Sequence, residues 1–211
     1  MDQPVPNTTQ VVSPEAYGLI LTSRPLRELL LPEGPRVSPY EVLDYRATLT
    51  LHDEWGSRAT FRRSQQVRFL QDGVGGILDH AWGEGNLLAS YRHSAGKLVD
   101  SFRDHERLHL VVELGRRQGR GDVMMFSVER EAIDAYSADT GVIETVIDHP
   151  IRSLTRSVVF PETRPVYGAV LEYDGQRFPL PMLRRTDGRT EVSFHMAHPQ
   201  ADTPYTIFWS W

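Results

Sequence analysis

The chain has 211 residues, 40% of them hydrophobic and 24% charged, the make-up of an ordinary globular protein of one or two domains. It has no cysteine, which excludes disulfides, thiolate metal sites and a cysteine nucleophile, so any metal would sit on His, Asp or Glu. A formal charge of -5 gives no electrostatic reason to bind nucleic acid or anionic lipid, and no apolar run approaches the roughly 20 residues of a membrane helix. Nucleic acid and membrane are therefore not expected partners.

Residues 1–36 read as a polar, proline-bearing tail followed by a short helix around Leu26–Leu31, which Pro25 keeps short. The start has neither a basic stretch nor an apolar core, so a signal peptide is not expected and the cytoplasm is the expected compartment. Residues 37–211 read as one β-domain with a possible subdivision near 150. From Tyr40 onward the hydrophobic period is two. Tyr45, Ala47, Leu49 and Leu51 fall on one face of the first run. In the second, Phe61, Val67 and Phe69 share a face, with Arg62 and Arg68 opposite.

About ten such runs follow one another, separated by turn pairs such as Asp174-Gly175 and Asp187-Gly188. The last places Tyr205, Ile207, Trp209 and Trp211 on one side and ends in a strand tied into a sheet. An all-β, antiparallel sandwich is the expected fold, with two packed sandwiches as a variant.

Three stretches carry candidate chemistry. The segment 72–85 is rich in glycine but lacks the Lys-Ser/Thr of a phosphate loop, and the glycines suit sharp turns or a bulge around Trp82. Trp82, Gly83 and Glu84 are the expected recognition surface there. Arg116, Arg117 and Arg120 crowd a second loop and would add bidentate donors for an acidic group if the loops meet. Of the 23 basic residues only Lys97 is lysine, so an arginine alone is weak grounds for phosphate recognition. Asp79-His80, Asp104-His105 and Asp148-His149 read as polar residues at strand ends, and His195 with His198 as surface histidines.

The third stretch is His105-Glu106-Arg107-Leu108-His109, the pattern H-E-x-x-H. On a helix its two histidines lie about 6 Å apart along the axis and share a face, whereas on a strand they are roughly 13 Å apart. Leu98, Phe102, His105, His109 and Val112 fit helical spacing. Leu108, Leu110, Val112 and Leu114 fit a strand, and the strand reading leads.

Glu129 follows His109 after nineteen residues. In this the segment resembles the thermolysin-like metallopeptidases. The resemblance implies zinc on His105, His109 and Glu129, with Glu106 as general base. It spans about 25 residues. It departs from that family in the charged Arg103, Asp104 and Arg107 around the motif and in the strand-like setting of Glu129.

Three functions are thus expected, in order. The first is a non-enzymatic adaptor of a bacterial cytoplasmic system, with another protein as partner and no cofactor. The second is a small zinc hydrolase built on the H-E-x-x-H segment. The third is a β protein holding a small anionic ligand near Trp82, which requires an interior pocket.

Overall fold

The computed structural model describes residues 38–83, 85–104, 107–147 and 150–211. The expected tail and helix within 1–36 lie outside these, as do Glu84, His105, Glu106, Asp148 and His149. The described residues form strands and turns with no helix. None, therefore, is a helix long and apolar enough to cross a membrane.

The strands are β1 (Tyr40–Leu51), β2 (Arg58–Phe69), β3 (Val74–Ala81), β4 (Asn86–His93), β5 (Gly96–Asp104), β6 (Arg107–Gln118) and β7 (Val123–Ile133). They continue as β8 (Thr140–Val146), β9 (Ser153–Phe160), β10 (Gly168–Tyr173), β11 (Gln176–Pro179), β12 (Met182–Arg184), β13 (Thr190–Ala197) and β14 (Pro204–Ser210). Fourteen strands replace the ten expected. The additions are β3 and β5, whose alternation is broken by register shifts at Val74/Gly76 and Leu98/Asp100, and the short, exposed β11 and β12.

A seven-stranded sheet runs β12-β13-β9-β1-β2-β7-β4, a four-stranded sheet β11-β10-β14-β8 and a three-stranded sheet β3-β6-β5. All pairings are antiparallel except β1 with β9. That parallel pair joins residues on both sides of position 150 into one sheet.

The large sheet buries the face that the period of two predicts. Tyr45, Ala47, Leu49 and Leu51 of β1 point inward, as do Phe61, Val67 and Phe69 of β2. The four-stranded sheet closes over one part of that face through Tyr205, Ile207, Trp209 and Trp211, all buried as expected. Phe160 of β9 meets Trp209 and Trp211 edge-on at 5.7 and 5.8 Å. Gly141 of β8 sits directly opposite Trp209, and a side chain there would overlap the indole ring. The three-stranded sheet packs on another part of the inner face. It turns its edge strand β3 toward the same space that β8 borders.

Candidate ligand-binding cavity

That space is a cavity of about 570 Å³, bounded by the inner face of the large sheet, by β3, by β8 and by residues 134–138. Its floor is unlike the rest of the core. In the antiparallel and parallel registers of the large sheet, Arg156 of β9, Ala47 of β1 and Arg63 of β2 lie side by side in one cross-strand row. One row on, Phe61 of β2 stands opposite Arg130 of β7. Three arginines thus project into the interior from β9, β2 and β7, with β1 between the first two, at positions where the pleat demands an inward side chain. Among them stand Ala47, which is small, and Phe61, which is flat.

One of the three is neutralised within the protein. Asp79 of β3 accepts a hydrogen bond from Nη1 of Arg63 at 2.8 Å and another from the Tyr91 hydroxyl at 2.9 Å. The pair is buried and fastens the three-stranded sheet to the large one. Burial alone would raise the Asp79 carboxyl, but Arg63, with Arg130 and His80, holds it well below the usual carboxylate range. Burial likewise opposes charge on Arg63, and Asp79 more than restores it.

The other two have no such partner. Arg130 donates from Nη1 to the His80 carbonyl at 3.3 Å and lies over the Phe61 ring at 4.3 Å. Arg156, 2% exposed, lies over the same ring at 4.8 Å, and its Nε is buried without a hydrogen-bond acceptor. Among the described residues neither forms an ion pair with a carboxylate; burial draws both guanidiniums below their ordinary pKa, with Asp79 opposing it at Arg130 and no carboxylate opposing it at Arg156. Tyr45 and Tyr136 line the cavity and face both of them. Burial raises the Tyr136 phenol, so it stays a hydrogen-bond donor. Leu49, Leu78, Ile143 and Ile151 supply apolar wall.

The expected recognition residues separate. Trp82 and Gly83 line the cavity, with Trp82 stacked on His80 at 5.2 Å and Arg107 over the indole at 5.3 Å. Arg116, Arg117 and Arg120 sit at the far end of the β3–β6 ladder, which runs from Ala81 opposite Leu108 to Val74 opposite Gln118. Seven residues at about 3.3 Å each put some 23 Å between the two groups. There Arg117 donates to the Gly73 carbonyl and Arg120 to the Leu70 carbonyl, so both brace the β2–β3 connection. The two loops do not meet.

The helical alternative for the H-E-x-x-H segment is replaced by strands: β5 runs to Asp104 and β6 starts at Arg107, with those two residues opposite one another. The alternating branched residues of β6 favour that choice. His109 lies within β6, stacked on Phe102 at 4.8 Å. Glu129 is on β7 of the large sheet, ion-paired with Arg62 and Arg92. Among the described residues no group of three or more His, Asp or Glu gathers to hold a metal.

Asp79 is no strand-end residue but the buried partner of Arg63. His195 bonds to Thr155, and His198 lies at a positive φ beyond β13.

Arg130 and Arg156 were not singled out from the sequence, and Asp79 was read there only as a polar residue at a strand end. A signal did exist for Arg63, which shares parity with Phe61, Val67 and Phe69, the residues whose face was assigned inward.

No family profile matches the chain, and no curated protein matches it. Among solved structures it is similar to the M1 zinc metallopeptidase from Deinococcus radiodurans, at 15% identity and a TM-score of 0.45, over 80% of this chain and 42% of that one. It is also similar to a candidate protease from Parabacteroides distasonis, at 14% identity and a TM-score of 0.49, over 83% of this chain and 41% of that one. This chain spans less than half the length of the chains it matches.

Proposed function

We propose that this protein binds a small anionic ligand inside the sandwich. A single observation carries the reading: buried Arg156 and half-buried Arg130 face a cavity of about 570 Å³ with no carboxylate in ion-pair contact. Buried charges in proteins are normally paired, because an isolated one loses its hydration without return. An anion entering the cavity supplies the missing partner. Guanidinium forks bind carboxylate or phosphate oxygens through two parallel hydrogen bonds, and the dry setting strengthens them. The apolar wall accepts the body of the ligand, and Trp82 borders the same cavity.

The test is to purify the protein in chloride buffers, denature it, and identify the released small anions by mass spectrometry. About one anion per chain from the wild type, and little from Arg156→Met and Arg130→Met, is the expected result. Wild-type and variant proteins that release nothing, and whose melting temperatures respond equally to added carboxylates and phosphates, would sink the reading.

A second reading, the bacterial cytoplasmic adaptor, is favoured by one edge. β12 pairs only with β13, and its Met182 and Leu183 are 50% and 62% exposed. An uncovered apolar edge is a site for strand addition by a partner. If extract proteins held by the wild type are held equally by a Met182→Lys, Leu183→Lys variant, this edge is not the docking site.

A further inference from the structure

The charge balance and spacing of the cavity carry the anion-binding reading one step further, to the class of ligand. Three guanidiniums face the cavity, and Asp79 is the carboxylate buried among them. Asp134, exposed, and Glu144, half-buried, also line the cavity but form no ion pair with the three, which leaves two positive charges without a buried counter-charge. A ligand with one negative charge would leave one of them unneutralised. Arg130 and Arg156 lie 4.3 and 4.8 Å from the centre of the same Phe61 ring, so their guanidinium carbons are at most about 9 Å apart. One small molecule can therefore engage both. The cavity is far larger than a bare inorganic ion needs, and Leu49, Leu78, Ile143 and Ile151 offer no polar group to the remainder.

We propose that the ligand is a small organic dianion, with two negative charges at one end or side of a partly apolar body. This rests on the anion-binding reading above. A dicarboxylate and a phosphate monoester share that chemistry. Arg130 and Arg156 each take anionic oxygens, and the Tyr136 hydroxyl lies where it can donate a further hydrogen bond. Arg63 stays with Asp79 and sets the positive potential of the floor without serving as a direct ligand group.

Titration calorimetry at constant ionic strength tests this with matched probes: hexanoate against adipate, benzoate against isophthalate, phenyl phosphate, and inorganic phosphate alone. The doubly charged member of each carboxylate pair is expected to bind at least tenfold more tightly than its singly charged match. Arg130→Gln and Arg156→Gln should each shrink that advantage to about twofold. Arg62→Gln, on the exposed face of β2, should leave it intact. The wild-type comparison stands even if a buried variant fails to fold.

Preference for phenyl phosphate over both dicarboxylates assigns the phosphate monoester, and the reverse assigns the dicarboxylate. Equal affinity within each carboxylate pair, with phenyl phosphate no tighter than benzoate, overturns the dianion while anion binding survives. Inorganic phosphate binding as tightly as phenyl phosphate overturns the organic body. Wild-type protein that binds none of the probes overturns both this inference and the reading beneath it.

Discussion

Arg156 and Phe160 stand four residues apart on the same inward face of β9, and their surroundings are opposites. Phe160 is fully buried and meets Trp209 and Trp211 edge-on, and Arg164 caps the Trp211 ring at 4.0 Å. Arg156 is buried almost as deeply, yet it faces a cavity, a phenylalanine ring and two other arginines. One end of the strand spends its side chains on dispersion and close packing. The other holds a desolvated cation facing a cavity, and a buried cation without a partner raises the free energy of the fold. Strain of that sort clusters where a protein does its work. The comparison therefore separates the part of the core that holds the sandwich shut from the part that has a use.

The first way to break this comparison is at the packed end. Trp209→Ala should cost about 3–5 kcal/mol in denaturant unfolding. The loss should be the same with and without added anions, because the indole packs on Phe160, at the end of β9 away from Arg156. A loss that depends on anions would mean the two ends are coupled.

Asp79→Ala should cost a similar amount, about 3–5 kcal/mol, since it removes the carboxylate that neutralises Arg63 and leaves a buried charge alone. Joining Arg63→Met to Asp79→Leu should recover most of that loss, as apolar replacement of a buried pair is close to neutral. If the double variant is as unstable as the single one, the pair is not the fastening between the sheets.

Much of this architecture was legible in alternation alone. The inward faces of β1, β2 and β14 follow from residue parity, and the two C-terminal tryptophans could bury nowhere else. The missed strands have physical reasons. β3 is buried at nearly every position and carries a bulge at its glycines, so it shows no period of two. β11 and β12 are exposed throughout, so they show no hydrophobic face at all.

The parallel pairing of β1 with β9 joins segments a hundred residues apart, which no local pattern encodes. The site was legible in part. Arg62 and Arg63 are adjacent and chemically identical, and only parity sends one to solvent and the other to the cavity. That Arg130 and Arg156 gather beside Arg63 depends on strand order, and strand order is not written in any one strand.

His93 reports on the same floor through pH. Burial, with Arg63 adding to it and Asp79 opposing, draws its imidazole down to about 4 from an ordinary value near 6.5. As pH falls through 6.5 the unfolded chain takes up a proton that the folded one refuses until pH 4. Stability should therefore drop by about 3 kcal/mol across that window and level off below it, as far as this group is concerned. Asp79 acts lower, its contribution fading only as pH falls below the ordinary carboxylate range. His93→Gln should flatten the slope between pH 6.5 and 4 while leaving the acid limb in place. An unchanged slope would place the titrating group elsewhere.

The smallest effect is the most telling, because its sign is unusual. Shortening or neutralising a deeply buried side chain normally destabilises, as at Trp209. Arg156→Met keeps a long flexible stem in contact with Phe61 and removes only the charge and its orphaned Nε. In buffer free of multivalent anions it should stabilise the protein by about 1–3 kcal/mol, because the cost of an unpaired buried cation disappears. With a bound dianion the order should narrow or reverse, since the wild type gains the free energy of binding and the variant gains less. A variant that is less stable than wild type in anion-free buffer, by denaturant unfolding, would show that Arg156 packs as Phe160 does. The two halves of the strand would then be one core, and the cavity would lose its claim to be the site.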